Sequence, residues 1–205
     1  MRMPSLLVAA LLSVTALPAL AQTAPTDGTP TRIRGTVAKL DGQTLLMKSR
    51  EGQELTIALA PNFAVLGVVK RDLSDIKAGD YVASTSVKGT DGKLHAVEVH
   101  IFMESQRGTG EGQIPWDLVP DSLMTNATVS GISEGTQGHT LKVAYKGGES
   151  EVIVGPDTPI VTYVPADPSL LKPGAAVFLI ALKKPDGSLS AARVTAEKDG
   201  VKPPM

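Results

Sequence analysis

No cysteine occurs in the 205 residues. Disulfides and lipid attachment through cysteine are thereby excluded, and the fold must be held by burial alone. Aromatic residues are also scarce, at three Phe, three Tyr and one Trp. Proteins that bind single-stranded nucleic acid lay bases along rows of such side chains in a basic groove, and this chain has few to offer. Its core must be aliphatic. Charge of one sign is missing too, because 20 Lys and Arg face 21 Asp and Glu. A nucleic-acid surface or an anionic membrane would favour a basic excess. The chain has no Gly-x-Ser-x-Gly elbow, and its three His stand without an evident Ser and Asp partner, so nucleophilic catalysis finds no support.

Long apolar runs are limited to the N-terminus. Arg2 precedes the apolar run Leu6–Leu17, and Ala19-Leu20-Ala21 supplies small residues before Gln22. This is the pattern of a cleaved export signal, 1–21, with cleavage after Ala21 and a periplasmic or secreted destination. The run is too short to span about 30 Å of hydrocarbon, so no membrane span is expected after cleavage. About 184 residues then remain, enough for one ordinary domain or two small ones. Residues 22–31 hold little apolar surface and read as a flexible lead-in, as does the tail 199–205.

What is present is a repeat. With an offset of 95 positions, residues 46–99 align with 141–194 without a gap and match identically at 16 of 54 positions. The matches include Gly52/Gly147, Asp72/Asp167, Lys77/Lys172, Gly79/Gly174, Asp91/Asp186 and Gly92/Gly187. Many lie at turns and apolar strand positions, which points to a duplicated structural unit. Ile33, Val37 and Leu40 open a strand, Asp41-Gly42 signals a hairpin, and Leu55, Ile57 and Leu59 alternate at period two. A strand at 64–70, one helical turn at 72–76, a strand at 80–88, an Asp91-Gly92 hairpin and a strand at 93–103 complete the unit. The second copy reruns this order at 126–133, 139–145, 149–154, 159–164, 175–183 and 188–197. About three additional residues fall in its first hairpin, within Glu134–Gly138.

So many short strands leave two exposed edges in an open sheet, and closure into a small barrel removes them. The expected fold is all-β, with two tandem OB-like barrels at 32–103 and 126–198 joined by a Gly-rich connector, 104–125. The signature residues are Gly35-Thr36-Val37, Ile76-Lys77-Ala78-Gly79-Asp80-Tyr81-Val82 and Asp91-Gly92-Lys93-Leu94-His95-Ala96. Their second set is Ala127-Thr128-Val129, Leu171-Lys172-Pro173-Gly174-Ala175-Ala176-Val177 and Asp186-Gly187-Ser188-Leu189-Ser190-Ala191. In these motifs the chain resembles a family of exported bacterial proteins built from small barrel repeats, a domain of unknown function. Ala127 and Ala175 depart from its pattern. The resemblance implies an OB-like barrel without implying an activity.

What recurs in both copies serves the barrel, so function has its address in what does not recur. The connector carries Arg107-Gly108-Thr109-Gly110-Glu111-Gly112, then Pro115-Trp116-Asp117, then Met124. Alternate glycines suggest a phosphate cradle, but no Lys-Ser/Thr follows and Pro115 blocks the required helix. One reading is a strap anchored by Trp116, with Arg107 paired to Glu111 or Asp117. Another makes Arg107, Glu111, Trp116 and Asp117 a surface for a small ligand or a protein partner, since long ordered connectors are often functional.

Strand geometry tests metal binding. On 93–103, Glu98, His100 and Phe102 share one face and His95, Val97, Val99 and Ile101 the other. His95 and His100 therefore cannot share an ion. A set of His100, Met103 and Met124 near Trp116 suits copper as Cu(I), and it looks like the small periplasmic OB-barrel copper chaperones. The competing reading is two core Met and a solvated His. The leading expectation is a non-enzymatic binding or interaction module with no cofactor; a copper-type metal handler and an enzyme of unrecognised type are the alternatives.

Overall fold

The computed structural model describes residues 28–204 except Gln137. The expected export signal lies outside the described residues. Twelve strands account for most of the chain: β1 Thr29–Asp41, β2 Thr44–Ser49, β3 Glu54–Arg71, β4 Tyr81–Lys88, β5 Leu94–Ile101, β6 Gly112–Pro115, β7 Leu123–Gly135, β8 Gly138–Tyr145, β9 Gly148–Val154, β10 Ile160–Ala166, β11 Ala176–Lys183 and β12 Leu189–Ala196. Single 3-10 turns lie at Leu73–Asp75, Glu104–Gln106 and Pro168–Leu170. Among the described residues no helix is long and apolar enough to cross a membrane. The fold is all-β. Two strands expected at 55–59 and 64–70 are one continuous β3, while Gly155–Pro159 separates their counterparts β9 and β10.

The strands close into two five-stranded barrels. In the first, β1 pairs with β2 and β11, β2 with β3, β11 with β12, and β12 closes onto β3 in parallel. In the second, β4 pairs with β5 and β7, β7 with β8, β8 with β9, and β9 closes onto β5 in parallel. Ile33, Val37, Leu45, Met47, Ile57 and Leu179 belong to the apolar core of the first barrel. Val82, Val99, Val129, Leu141, Val143 and Val152 belong to that of the second. Period-two alternation thus sends one face of each strand inward, as the sequence requires.

The segments 32–103 and 126–198 do not each close a barrel. The second barrel is the contiguous stretch from β4 to β9, and the first is assembled around it from β1–β3 and β11–β12. β3 is the cause. It runs past the first barrel, and its end, Val65–Arg71, pairs antiparallel with β10. The strands that follow are thereby delivered to the second sheet. In that pairing Val68 faces Tyr163, 95 positions on. The parallel pairings agree: Leu66 of β3 faces Thr195 of β12, and Val161 of β10 faces His100 of β5. In the first hairpin Val37 faces Met47 and Val129 faces Val143, so the second copy carries four additional residues there and the match across β2 and β8 is offset by 96.

The connector is therefore not a link between barrels. It joins β5 to β7 of the second barrel, passing β4, and β6 adds to the edge of β7. The described parts of the expected lead-in and tail are also engaged. Thr29–Thr31 of the expected lead-in pair with Ala181–Lys183, and Val201 of the tail packs between the barrels.

Close backbone approach explains one glycine. A Cβ at Gly35 would sit 2.0 Å from the Lys48 carbonyl oxygen, where the second barrel has room for Ala127. Gly35→Ala is expected to destabilise the protein by roughly 2 kcal/mol or more, read as a lower urea midpoint at unchanged slope.

Candidate functional site

A third apolar cluster lies between the barrels and contains Leu66, Val68, Ala83, Met124, Val161, Tyr163 and Phe178, with Phe102, Trp116 and Val201 against it. Set into this seam are polar groups that the barrels do not need for closure. Their placement starts with a bulge in β5: Thr85 faces Glu98 and Ser86 faces Ala96, leaving Val97 as the unpaired residue. Leu94 and Ala96 consequently turn to the barrel core with Val99 and Ile101, and the expected grouping of Val97 on one face with Val99 and Ile101 is corrected. The bulge also puts His95 on the outer face with His100, but His95 is held by Asp91 at 3.1 Å.

Glu98 and His100 are 0% and 1% exposed. An outward-facing pair on one barrel is buried here because the other barrel covers it. Glu98 Oε1 accepts a hydrogen bond from Thr85 Oγ1 at 2.9 Å, and the same hydroxyl lies 3.9 Å from Met124 Sδ. The His100 ring stacks on Tyr163 and Phe102, with centroids 3.9 and 4.5 Å away. Burial pushes the Glu98 carboxyl up to about 8, opposed by the Thr85 bond and the Arg34 guanidinium. Burial also pushes His100 down to about 3. Both are neutral near pH 7. Tyr163 is raised well above the usual phenol range by burial and by Glu98, with Arg34 opposing.

Arg34 connects this interior to the connector. Its Nη2 donates to Asp117 at 2.9 Å, and its guanidinium lies 5.0 Å from the Phe178 ring and 5.9 Å from that of Trp116. Arg32 stacks over Trp116 at 3.9 Å. Arg50 donates to the carbonyls of Leu118 and Asp117 at 3.3 and 3.4 Å. The Asp117 carboxyl is held below its usual range: partial burial works against ionisation, but the Arg34 bond and both arginine charges prevail. Six buried side-chain atoms at this seam have no hydrogen-bond partner: Glu98 Oε2, both His100 ring nitrogens, Tyr163 Oη, Arg34 Nε and Trp116 Nε1. Native interiors leave few such groups, and a cluster of them calls for an explanation.

The four connector residues expected to form one surface fall in two places. Trp116 and Asp117 lie at the seam against the first barrel. Arg107 and Glu111 lie at the other end, where Arg107 pairs with Glu104 at 2.6 Å and donates to the Gly79 carbonyl, while Glu111 accepts from the Lys146 amide. Arg107 thus pairs with neither Glu111 nor Asp117. Tyr81 and Asn126 both donate to the Thr109 carbonyl, which fixes the connector as a strap. Of the proposed metal set, His100 and Met124 face the seam and Met103 does not join it. Among the described residues no group of three or more His, Cys, Asp or Glu is placed to hold a metal ion.

Of the residues at the seam, His100, Met124, Trp116 and Asp117 are among those the sequence singled out. Sequence reasoning missed Glu98 as a site residue, and Arg34, Thr85 and Tyr163 altogether. Their only signal was polarity at strand positions whose repeat mates differ: Arg34 against Asn126, Thr85 against Ile180 and Tyr163 against Val68.

Away from the seam, a concavity of about 810 Å³ opens at the end of the second barrel, lined among others by Lys70, Arg71, His139, Asp157 and Thr158. At the first barrel, Phe63 occupies the place corresponding to Thr158 and packs on the core. The charges lining the cleft are of both signs.

No family model, curated protein or solved structure matches the chain.

Proposed function

We propose that the chain is an exported, non-enzymatic binding module whose ligand sits at the seam, beneath the strap. The observation that carries this reading is the gathering of unpartnered buried polar atoms on Glu98, His100, Tyr163, Arg34 and Trp116. At the 95-residue offset the mates of Glu98, His100 and Tyr163 are Arg193, Thr195 and Val68. A duplication supplies the barrels, and their divergence supplies the site. A group with His100's low proton affinity is poorly matched to general-base work near neutral pH, which favours binding over catalysis.

The test is thermal stability and Trp116 emission with succinate, inorganic phosphate, glycerol or Ag(I) as probes. At least one probe should raise the melting temperature of the wild type, because a ligand bound only by the folded state stabilises it. The same probe should fail to do so in a folded Glu98→Gln/Tyr163→Phe variant. No shift with any probe, or a shift retained in the variant, would remove the seam as the site.

A soft-metal reading draws on one further observation, the neutral His100 imidazole on the same face as Met124. Arg34 counts against it, since a guanidinium charge at the seam repels a cation. The Ag(I) arm separates the two.

A further inference from the structure

We infer that the seam takes a carboxylate ligand, which binds Arg34 by displacing the strap residue Asp117. The inference rests on the seam being the binding site and goes on to name the ligand class. Three observations lead to it.

The first is the balance of donors. Arg34 Nε and Trp116 Nε1 carry buried N–H groups with no hydrogen-bond partner. His100, kept neutral by burial, offers one N–H, and Tyr163 and protonated Glu98 each offer an O–H. Donors outnumber obligatory acceptors, which suits an anion.

The second is charge. Arg32, Arg34 and Arg50 all touch the strap segment Trp116–Leu118, and Asp117 is the acid set among them. Arg32 has no carboxylate within 4 Å among the described residues; its guanidinium lies flat on Trp116 instead. Arginine is the side chain whose planar fork matches a carboxylate with two parallel hydrogen bonds. Arg34 spends only Nη2 on Asp117, leaving Nε free on its inner side.

The third is that Asp117 is an internal stand-in for the ligand. It belongs to the strap, its side chain is 44% exposed, and it meets an arginine that is only 11% exposed. An incoming carboxylate that takes both Nε and an Nη of Arg34 gains one hydrogen bond over the Asp117 contact, and reaches Tyr163 and His100. Asp117 can be released to solvent at little cost because it is already near-surface. The strap stays tethered at its other end by β6, Arg107 and Glu111, so only the Trp116–Ser122 segment has to move.

The source of the carboxylate is open between a small free acid and an acidic peptide side chain. Calorimetric titration at constant ionic strength uses both: succinate, and a pentapeptide containing one Asp, with succinamide as the uncharged control. Wild-type protein should bind one or both carboxylates and not succinamide; the tighter of the two names the source. Asp117→Asn should tighten binding severalfold by removing the competitor, while Asp41→Asn, which removes the same charge at a distance, should not. Arg34→Lys should weaken binding about tenfold, the worth of one lost charge-assisted hydrogen bond. Should Asp117→Asn unfold, NMR titration of the wild-type Asp117 carboxyl replaces it. Its depressed pKa should return towards the ordinary aspartate value when succinate is bound. If succinamide or Ag(I) binds and the carboxylates do not, the binding site stands and the carboxylate inference falls. If carboxylates bind with no change in Asp117→Asn or Arg34→Lys, the anion sits elsewhere and the inference falls. If nothing binds, the functional reading falls with it.

Discussion

Expressed alone, residues 73–160 fold as a closed five-stranded barrel, and residues 28–103, which span one complete sequence repeat, do not. This expected result runs against the repeat and follows from strand exchange. The central segment holds β4, β5, β7, β8 and β9 joined in a closed ring; it gives up only the β5 pairs with β10 beyond Ile160, and its core cluster lies wholly within it. The repeat segment holds three strands of one barrel and two of the other. In it β1 lacks β11, β3 lacks β12 and β10, β4 lacks β7, and β5 lacks β9. Every sheet would end in an unpaired edge over half a core. The central segment should give a dispersed amide spectrum and a cooperative urea transition, and the repeat segment neither. A monomeric repeat segment with a cooperative transition would overturn the exchanged topology. Removal of the first barrel exposes Met124, Ala83 and the Glu98 face, so the central barrel should be less stable than the whole protein.

The second large effect is on stability against pH. Glu98 holds its proton to about pH 8 when folded and to about 4.5 when unfolded. Between these values the folded state binds the extra proton, so stability falls as pH rises through the window. His100 has the opposite sign. Its folded value of about 3 lies below the unfolded 6.5, so stability falls as pH drops from 6.5 towards 3. From about 4.5 to 6.5 the two slopes cancel. The protein should therefore show a plateau there and lose stability on both sides, at about 1.4 kcal/mol per pH unit where one group acts alone. Arg34 and Tyr163 face Glu98 from β1 and β10, and Asp117 faces Arg34 from the strap. Arg34 already gives the ionised carboxylate partial relief, and over the window from pH 6.5 to 8 the alkaline fall is about 2 kcal/mol. Surface carboxylates held below their usual range, such as Asp91 and Glu104, add to the acid side. The alkaline limb is the diagnostic one. Glu98→Gln keeps an acceptor for Thr85 and should abolish the fall between pH 6.5 and 8. Urea melts across pH 4–9 decide the matter, and an alkaline limb unchanged in Glu98→Gln would show that another group titrates.

Much of the local structure was legible in the amino-acid order. Turn glycines, the Asp-Gly hairpins and the alternation of Leu55, Ile57 and Leu59 marked the strands to within a few residues. Where the local reading slipped, a register detail was responsible. Val97 forms a bulge that turns Ala96 inward, and nothing in the residues themselves announces it. β6 escaped notice because four residues ending in Pro115 carry too short a pattern to read.

The sequence by itself determined which stretches become strands, which face of each is apolar, and that the small apolar units must close on themselves. Only the tertiary structure decided with whom they close. Repeats that share a pattern offer each strand two nearly equivalent partners, one in its own copy and one in the other. Periodicity cannot choose between them; the uninterrupted run of β3 into β10 does. That same choice buries Glu98 and His100. A polar pair on the outer face of a barrel reads as solvated until the second barrel is laid across it, and the partner surface belongs to residues more than sixty positions away, with Tyr163 and Phe178 on one side and Arg34 on the other.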